Sequence, residues 1–218
     1  KPKTLIKEKI PIILVNKGFR NEMDRGGIQH AIRAFIQEFK KGEAILMLKI
    51  NPAYAMPPEQ LVNIIKKYQM EERNNEMAEI RYSYEFMTKE KMAELYNLAE
   101  ILLNPTEAEA FSLPSLEAMA CGIPVIATNF GGQTDFITTN NGWLIDYDLH
   151  EVKHEITYEG VKWGKPKIEQ LRKAMREAIK DQESRKLKSM NALKDAQNWS
   201  WDNSAQKASQ ALQQISFN

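Results

Sequence analysis

The sequence has little of several features that would assign it to a common class of protein. A single cysteine, Cys121, in 218 residues excludes an internal disulfide framework. We interpret Cys121 as a small core residue, and neither it nor the isolated pair His150 and His154 has metal-ligand spacing. No apolar run approaches the ~18 residues that span a bilayer. A formal net charge of +1 gives no argument for a nucleic-acid partner or an anionic membrane.

The first residues do not resemble a signal peptide. The basic start, Lys1-Pro2-Lys3-Thr4, is followed by a short apolar segment that Lys7, Glu8 and Lys9 interrupt. We therefore expect a cytoplasmic protein. Apolar residues make up 43% of the chain, an ordinary value for a globular domain, so we do not expect disorder. Because the chain opens directly into a linker and a strand, we also expect it to be a fragment of a longer protein.

Short apolar runs alternate with segments of helical period, which predicts a parallel α/β sheet. The predicted strands are residues 10–15, 44–50, 80–86, 101–103, 125–127 and 143–145. The predicted helices are residues 28–40, 57–68, 89–97, 113–121, 167–180, 182–196 and 201–215. Residues 146–164 show no clear period and predict an irregular surface excursion.

The stretch from Glu109 to Thr128 contains the first candidate site. Glu109 falls in a polar loop that follows a predicted strand, and Glu117 falls about one turn into the next helix. Ligands of open α/β sheets bind at the carboxyl ends of strands. The N–H groups of Phe111, Ser112 and Leu113 would lie at a helix N-terminus, which favours anions and hydroxyl oxygens. The residue chemistry alone supports a second interpretation equally well. In that interpretation the glutamates bind no ligand and are solvated carboxylates whose negative charge interacts favourably with the helix N-terminus.

The loop after the first predicted strand contains the second candidate site. Arg20 and Arg25 precede a helix N-terminus there, which makes a plausible diphosphate site. The alternative is that both arginines are ordinary surface charges. The loop is not G-x-G-x-x-G, so a dinucleotide-dependent dehydrogenase is not supported.

Lys49 and Tyr84 are weaker candidates at the ends of two other predicted strands. Lys49 is a lone cation in an apolar strand, and its alternative role is to extend to solvent at a sheet edge. Tyr84 alternates with Ile80, Tyr82 and Phe86, and core packing is its alternative role.

The 109–128 stretch resembles the E-x7-E region of the retaining GT-B glycosyltransferases of the group 1, or family 4, type. Glu109 and Glu117 match its two glutamates, and the run E-A-M-A-C-G-I-P-V from Glu117 to Val125 matches almost letter for letter. Gly131-Gly132 follows at the expected place. Ser112 stands where the family usually has glycine, so its side chain is expected to crowd the donor sugar.

The resemblance extends over residues 10–215. Arg20 matches the family's arginine after the first strand of this domain, and Arg25-Gly26 stands where Lys-Gly is usual. Arginine keeps the charge but replaces a point cation with a planar fork. The resemblance implies a Rossmann-like sheet with helices on both faces, one half of a GT-B fold, with extra C-terminal helices. On this basis residues 1–9 are a linker, 10–198 the nucleotide-sugar-binding domain and 199–218 a C-terminal helix, while the N-terminal acceptor domain is absent from this chain.

The resemblance also implies a function for each candidate residue. Arg20 and Arg25 would bind the diphosphate of a UDP- or GDP-sugar co-substrate, without a metal or other cofactor. Glu109 would contact the donor sugar and Glu117 the ribose. The backbone N–H groups of Phe111, Ser112 and Leu113 would donate hydrogen bonds to the sugar or the phosphate. Lys49 would face the cleft, and Tyr84 would lie near the nucleobase.

The missing half would bind a sugar, lipid or protein acceptor and could associate peripherally with a membrane. The isolated domain is expected to be inactive. Two alternatives remain. One is a glycosyltransferase-like binding or scaffold module that has lost transfer, which the changes at Ser112 and Arg25 and the odd length of the excursion over residues 146–164 favour. The other is a nucleotide-sugar epimerase of the same overall fold, which the E-A-M-A-x-G-x-P run fits less well.

Overall fold

A computed structural model describes residues 9–72, 75–152 and 160–215. The expected linker, residues 1–9, therefore lies outside the described residues except for Lys9. The strands of the described part are β1 Ile12–Phe19, β2 Ile45–Ala55, β3 Glu79–Ser83, β4 Ile101–Asn104, β5 Val125–Thr128, β6 Gly142–Ile145, β7 Tyr147–Glu151 and β8 Lys162–Pro166. The helices are α1 Ile28–Glu38, α2 Pro58–Glu71, α3 Lys89–Leu98, α4 Leu113–Ala120, α5 Ile168–Lys180, α6 Gln182–Ala196 and α7 Trp201–Gln213.

Six strands of the described part form one parallel sheet in the order β3-β2-β1-β4-β5-β6. This confirms the expected parallel α/β class. The strand order reverses between β1 and β4, which pair through Ile13 and Ile101. The chain leaves these two neighbouring strands towards opposite faces of the sheet, so a crevice opens at their carboxyl ends.

The residues of β1 alternate between two apolar cores. Ile13 and Val15 pack with α1, α2 and α5 on one face of the sheet. Ile12 and Leu14 pack with α3, α4 and α6 on the other face. A strand buried on both faces has a continuous apolar sequence, which explains why the apolar run located β1. The third strand, which was predicted over residues 80–86 from alternation, ends at Ser83, so the predicted end is wrong by three residues.

The first two strands extend past their predicted ends. Residues 16–19 belong to β1 instead of a loop, and β2 continues to Ala55 instead of ending at residue 50. The pairing explains the extension: Asn16 lies opposite Lys49, and after an irregularity Phe19 lies opposite Ala55. Backbone pairing between the two strands therefore continues where the apolar pattern ends.

Strands β7 and β8 form an antiparallel hairpin, so the prediction of an irregular excursion over residues 146–164 is wrong for both strands. Tyr147 lies opposite Pro166, and its ring contacts Phe130 with 4.9 Å between centroids. The mostly polar strand sequences carry no alternating pattern from which the hairpin could be inferred. The excursion's residues 153–159, with His154, lie outside the described residues.

The local signals for helix ends were reliable. Thr88 was predicted to cap α3, and its hydroxyl accepts a hydrogen bond from the N–H of Lys91 at 3.4 Å. Helix α7 begins after Ser200, which caps it in the same way, and the Trp201 side chain is 84% exposed. Within the described ranges, none of the helices combines the length and the apolar character needed to cross a membrane.

Candidate functional site

A cavity of about 550 Å³ lies at the carboxyl ends of β1 and β4, at the point where the strand order reverses. Its lining is rich in charge and aromatic surface. The lining includes the cations Lys17, Arg20 and Arg25, the carboxylates Asp24 and Glu109, and the aromatic rings Tyr54 and Trp163. This composition suits a ligand that carries both anionic groups and hydroxyls.

The two predicted arginines lie in this cavity. The exposed Arg20 guanidinium stands over the Tyr54 ring, 5.0 Å from its centroid, and the exposed Arg25 donates from Nη1 to the Ala108 carbonyl at 2.6 Å. Asp24 holds the loop between them, because its carboxylate accepts hydrogen bonds from the N–H groups of Arg20 at 3.0 Å and Gly26 at 2.9 Å. The loop therefore presents both cations to the cavity.

Glu109 lies in the same cavity and forms an ion pair with Lys17, a residue that the sequence reasoning missed. The side chains of Lys17 and Glu109 are only 12% and 14% exposed. Burial lowers the pKa of Lys17, and the interaction with Glu109 opposes that shift. Lys17 was overlooked because residues 16–27 were treated as one loop. Its place beside Gly18 at the end of the first strand was the available signal.

Glu117 is positioned by a different set of contacts. Its exposed carboxylate accepts a hydrogen bond from the Tyr96 hydroxyl at 2.9 Å, and that hydroxyl accepts one from Asn16 at 2.9 Å. Burial and the nearby Glu117 charge raise the pKa of Tyr96 well above its usual range. Glu117 therefore lies near the end of β1 with a fixed orientation. Glu117 is not among the described residues that line the cavity at the carboxyl ends of β1 and β4.

Ser112 has its side chain in a buried hydrogen-bond network at the start of α4. Its φ is 73°, in the left-handed region that favours glycine, which accounts for the glycine usual in the family. The side chain is buried, and its hydroxyl contacts Asn104 at 3.0 Å and Ser115 at 2.8 Å. The Ser112 hydroxyl is therefore held by Asn104 and Ser115.

The neighbours of Ser112 frame the start of α4. The Phe111 ring packs against Phe136 and Trp199, with centroids 5.2 and 5.6 Å away, whereas Leu113 is 52% exposed. Within the described ranges, no acceptor is found for the backbone N–H groups of Phe111, Ser112 and Leu113. These N–H groups remain available to an anion or a hydroxyl oxygen.

The remaining two candidates lie apart from the cavity. Lys49 is 5% exposed on β2, an interior strand, and donates to the Ile50 carbonyl at 3.2 Å. Burial lowers the pKa of Lys49, and the nearby Glu85 opposes that shift. Because Lys49 is buried in an interior strand, the alternative that it extends to solvent at a sheet edge is wrong. Tyr84 packs against the first core, as its alternative role required. Of the described residues, neither is part of the cavity lining.

Glu107 is a second residue that the sequence reasoning missed. Its buried carboxylate contacts His30 Nε2 at 2.5 Å and His150 Nε2 at 2.6 Å. Its backbone N–H donates to Arg25 at 2.8 Å, and its carbonyl accepts from Gly164 at 2.8 Å. Glu107 thus joins α1, the arginine loop and the β7–β8 hairpin. No sequence signal identified it, because its partners lie 77 and 43 residues away.

Two glycine contacts fix the loops that carry these groups. Gly27, with φ 79°, begins α1 so close to β4 that a Cβ would lie 1.9 Å from the Pro105 carbonyl oxygen. Gly132 donates its N–H to the Glu109 carbonyl at 2.9 Å, and a Cβ there would lie 1.8 Å from the Ala110 oxygen. Both loops therefore pass where a side chain would not fit.

Replacing Gly132 with alanine is expected to lower the free energy of unfolding by about 3 kcal/mol, because the Glu109 loop must move to admit a methyl group. Gly42→Ala is the control for a methyl group added to an open position: no atom lies within 4 Å, and its φ of 86°, which Gly132 does not share, should cost about 1–2 kcal/mol of backbone strain. Denaturant unfolding at neutral pH measures both values. Equal losses in the two variants would contradict the close contact at Gly132.

Within the described ranges there is no group of three or more His, Cys, Asp or Glu side chains able to hold a metal ion. The cations of the cavity lining are Lys17, Arg20 and Arg25, which lie beside the carboxylates of Asp24 and Glu109.

The chain is similar to known proteins in both sequence and structure. The family model "Glycosyl transferases group 1" matches residues 66–195, more than half of the chain. The serotype-specific mannosyltransferase WbdA of Escherichia coli is 26% identical over 156 residues, which are 72% of this chain and 16% of that protein. A D-inositol 3-phosphate glycosyltransferase of Mycobacteroides abscessus is 44% identical over 45 residues, 21% of this chain and 10% of that one. The chain thus spans only a small part of these relatives.

Solved structures share the fold. The sucrose-phosphate synthase of Thermosynechococcus elongatus superposes with a TM-score of 0.69 at 22% identity, over 94% of this chain and 45% of that one. The C-terminal domain of a group 1 glycosyl transferase from Francisella tularensis gives 0.64 at 21% identity, over 87% of each chain. The Anabaena protein HepE in complex with UDP and glucose gives 0.63 at 18% identity, over 93% of this chain and 48% of that one. With the family model, the matched sheet and the matched E-x7-E residues, the chain belongs to the group 1 family of glycosyl transferases.

Proposed function

We propose that this chain is the donor-binding domain of a retaining hexosyltransferase and that it binds a nucleoside-diphosphate sugar such as a UDP- or GDP-sugar. The observation that carries the proposal is the cavity at the strand-order reversal, where Lys17, Arg20 and Arg25 lie beside Glu109. Cations and a carboxylate side by side match the diphosphate and the hydroxyls of such a donor. The complexes of HepE with UDP, UDP-glucose, and UDP with glucose support this donor class by analogy of fold.

The cations act on the leaving group. Arg20 and Arg25 bind the diphosphate, and the buried Lys17 adds a third positive charge. As the sugar departs, negative charge grows on the nucleotide, and preorganised cations stabilise that charge more than they stabilise the bound donor. No metal is needed for this role, because the chain's own side chains neutralise the charge.

The glutamates act on hydroxyls. Glu109 accepts hydrogen bonds from the donor sugar beside the leaving group, and Glu117 accepts them from the ribose. The N–H groups of Phe111, Ser112 and Leu113 bind phosphate or sugar oxygens. The retaining stereochemistry rests on the resemblance to the E-x7-E transferases, and neither glutamate is assigned as a nucleophile.

The acceptor side belongs to a part of the protein outside this chain, so the acceptor is proposed only by class as a sugar, lipid or protein, and any membrane association lies there as well. The chain by itself is proposed to bind donor without transferring the sugar, in the cytoplasm.

Glu117→Ala is expected to weaken nucleoside-diphosphate binding by about 10-fold or more, since a hydrogen bond from a hydroxyl to a charged carboxylate contributes about 1.5–3 kcal/mol. The melting temperature should change little, because the exposed position of Glu117 lets water accept the hydrogen bond that the Tyr96 hydroxyl donates, while that hydroxyl still accepts one from Asn16. Calorimetric titration of the chain with UDP, GDP and ADP measures the affinities and identifies the base.

Glu94→Ala is the matched control, because Glu94 is an exposed glutamate on α3 and should leave binding intact. If the wild-type chain bound none of the nucleotides, the proposed function would fail. If Glu117→Ala lowered the melting temperature strongly while the folded chain kept its affinity, Glu117 would be a structural residue instead.

A further inference from the structure

We propose that Trp163 is a specificity-determining residue whose indole forms the wall against which the transferred hexose packs. The inference rests on the proposed donor-binding function and adds to it the contact that recognises the sugar ring. Trp163 is half-buried and lines the cavity together with Glu109 and Arg25. It comes from β8, far along the chain from the loops that carry the charged groups.

The hairpin holds Trp163 at the cavity through contacts on both strands. The next residue, Gly164, donates its N–H to the Glu107 carbonyl at 2.8 Å. The residue opposite, His150, contacts the Glu107 carboxylate at 2.6 Å, and its ring meets the indole edge-on with centroids 6.4 Å apart. Glu107 is only two residues from Glu109, so the indole and the Glu109 carboxylate are held on one support.

The close packing under Gly164 fixes the hairpin further. A Cβ at Gly164 would lie 2.7 Å from the Phe130 ring and 2.9 Å from the Tyr147 ring, so the strand lies directly on these side chains. A wall built on a closely packed strand loses little conformational freedom when a ligand binds. The indole is therefore presented in one position before the ligand arrives.

The chemistry beside Trp163 favours a sugar ring as its partner. A pyranose has an apolar C–H face and a rim of hydroxyls, so it suits a flat aromatic surface next to a hydrogen-bond acceptor. Trp163 provides the surface and Glu109 the acceptor in the same cavity. Tyr54, a second ring of the lining, is already stacked under Arg20. The diphosphate is the natural partner of Arg20 and Arg25, and Glu109, the acceptor assigned to the sugar, lines the same cavity as the indole.

The test compares a nucleotide with its sugar conjugate on this chain. UDP and UDP-glucose, and GDP and GDP-mannose, are titrated calorimetrically into wild type, Trp163→Ala and Trp163→Leu. Loss of the aromatic face should weaken the sugar conjugate about five- to tenfold and leave the free nucleotide unchanged. Trp163→Leu keeps an apolar side chain on β8, so it tests the same contact if the alanine variant folds poorly. Trp163→Phe, which retains a flat ring, should keep most of the affinity.

Trp201→Ala is the matched control, because Trp201 is 84% exposed on α7 and should affect neither ligand. Equal weakening of nucleotide and conjugate in the Trp163 variants, or no weakening of either, would overturn the inference while leaving the proposed function standing. Failure of the wild-type chain to bind any nucleotide would instead overturn the proposed function and this inference with it.

Discussion

Glu107→Ala is expected to lower the free energy of unfolding by about 3 kcal/mol, because it removes a buried carboxylate that contacts both His30 and His150. The Glu107 side chain is 9% exposed, and so is that of His30, which would be left buried without its partner. His150 is 41% exposed and can turn to water, so most of the loss should come from the His30 contact. Denaturant unfolding at neutral pH measures the difference from wild type.

The same carboxylate should make the stability pH-dependent. Burial opposes ionisation of Glu107, but hydrogen bonds and charge interactions with His30 and His150 outweigh it, so its pKa lies below the ordinary value of 4.5. A group whose pKa is lower in the folded state stabilises the fold above its unfolded pKa, and that contribution is lost as the pH falls through the folded value. The gap in unfolding free energy between wild type and Glu107→Gln should therefore be full at neutral pH and shrink at pH values below about 4.5.

Glu151→Gln is the control, since Glu151 is an exposed carboxylate on β7, next to His150. This substitution should change the free energy of unfolding by less than about 0.5 kcal/mol. If the two variants lost the same amount of stability, or if the Glu107→Gln gap were constant with pH, the buried contact between Glu107 and the histidines would not exist as described.

Lys17→Ala is expected to weaken nucleoside-diphosphate binding by about 10- to 100-fold. Lys17 is the least exposed of the cations assigned to the diphosphate, and a charge-assisted bond to a phosphate in a partly buried site contributes about 1.5–3 kcal/mol. Calorimetric titration with the nucleotide that the wild type prefers measures the change. Lys17→Arg, which keeps the charge, should retain part of the affinity.

Glu109→Gln is the informative counterpart. It removes the carboxylate that now pairs with Lys17 and is assigned to the sugar, so binding of the free nucleotide should be unchanged or tighter. Lys66→Ala, at an exposed position on α2, controls for the loss of one positive charge. Nucleotide binding that survived in Lys17→Ala but failed in Glu109→Gln would reverse the roles proposed here.

Much of the sheet could be predicted from the sequence because its strands are buried on both faces. Continuous apolar runs at residues 101–103 and 125–127 became β4 and β5, each longer by one residue. The hairpin could not be predicted in this way. Tyr147 and Lys162 belong to strands whose stability comes from pairing with each other and from contacts with Phe130 and Glu107, so no local period marks them.

The sequence by itself determined the family and the α/β class, and it selected Arg20, Arg25, Glu109 and Glu117 as candidate site residues, because these depend on local patterns and on one long motif. Only the tertiary structure decided which side chains meet. It placed Lys17 on Glu109, Glu107 between His30 and His150, and Trp163 at the cavity wall, and it separated Lys49 and Tyr84 from that cavity. The reason is that parallel strands bring together carboxyl ends that are distant in sequence, and the packing of each loop then fixes which side chains face one another.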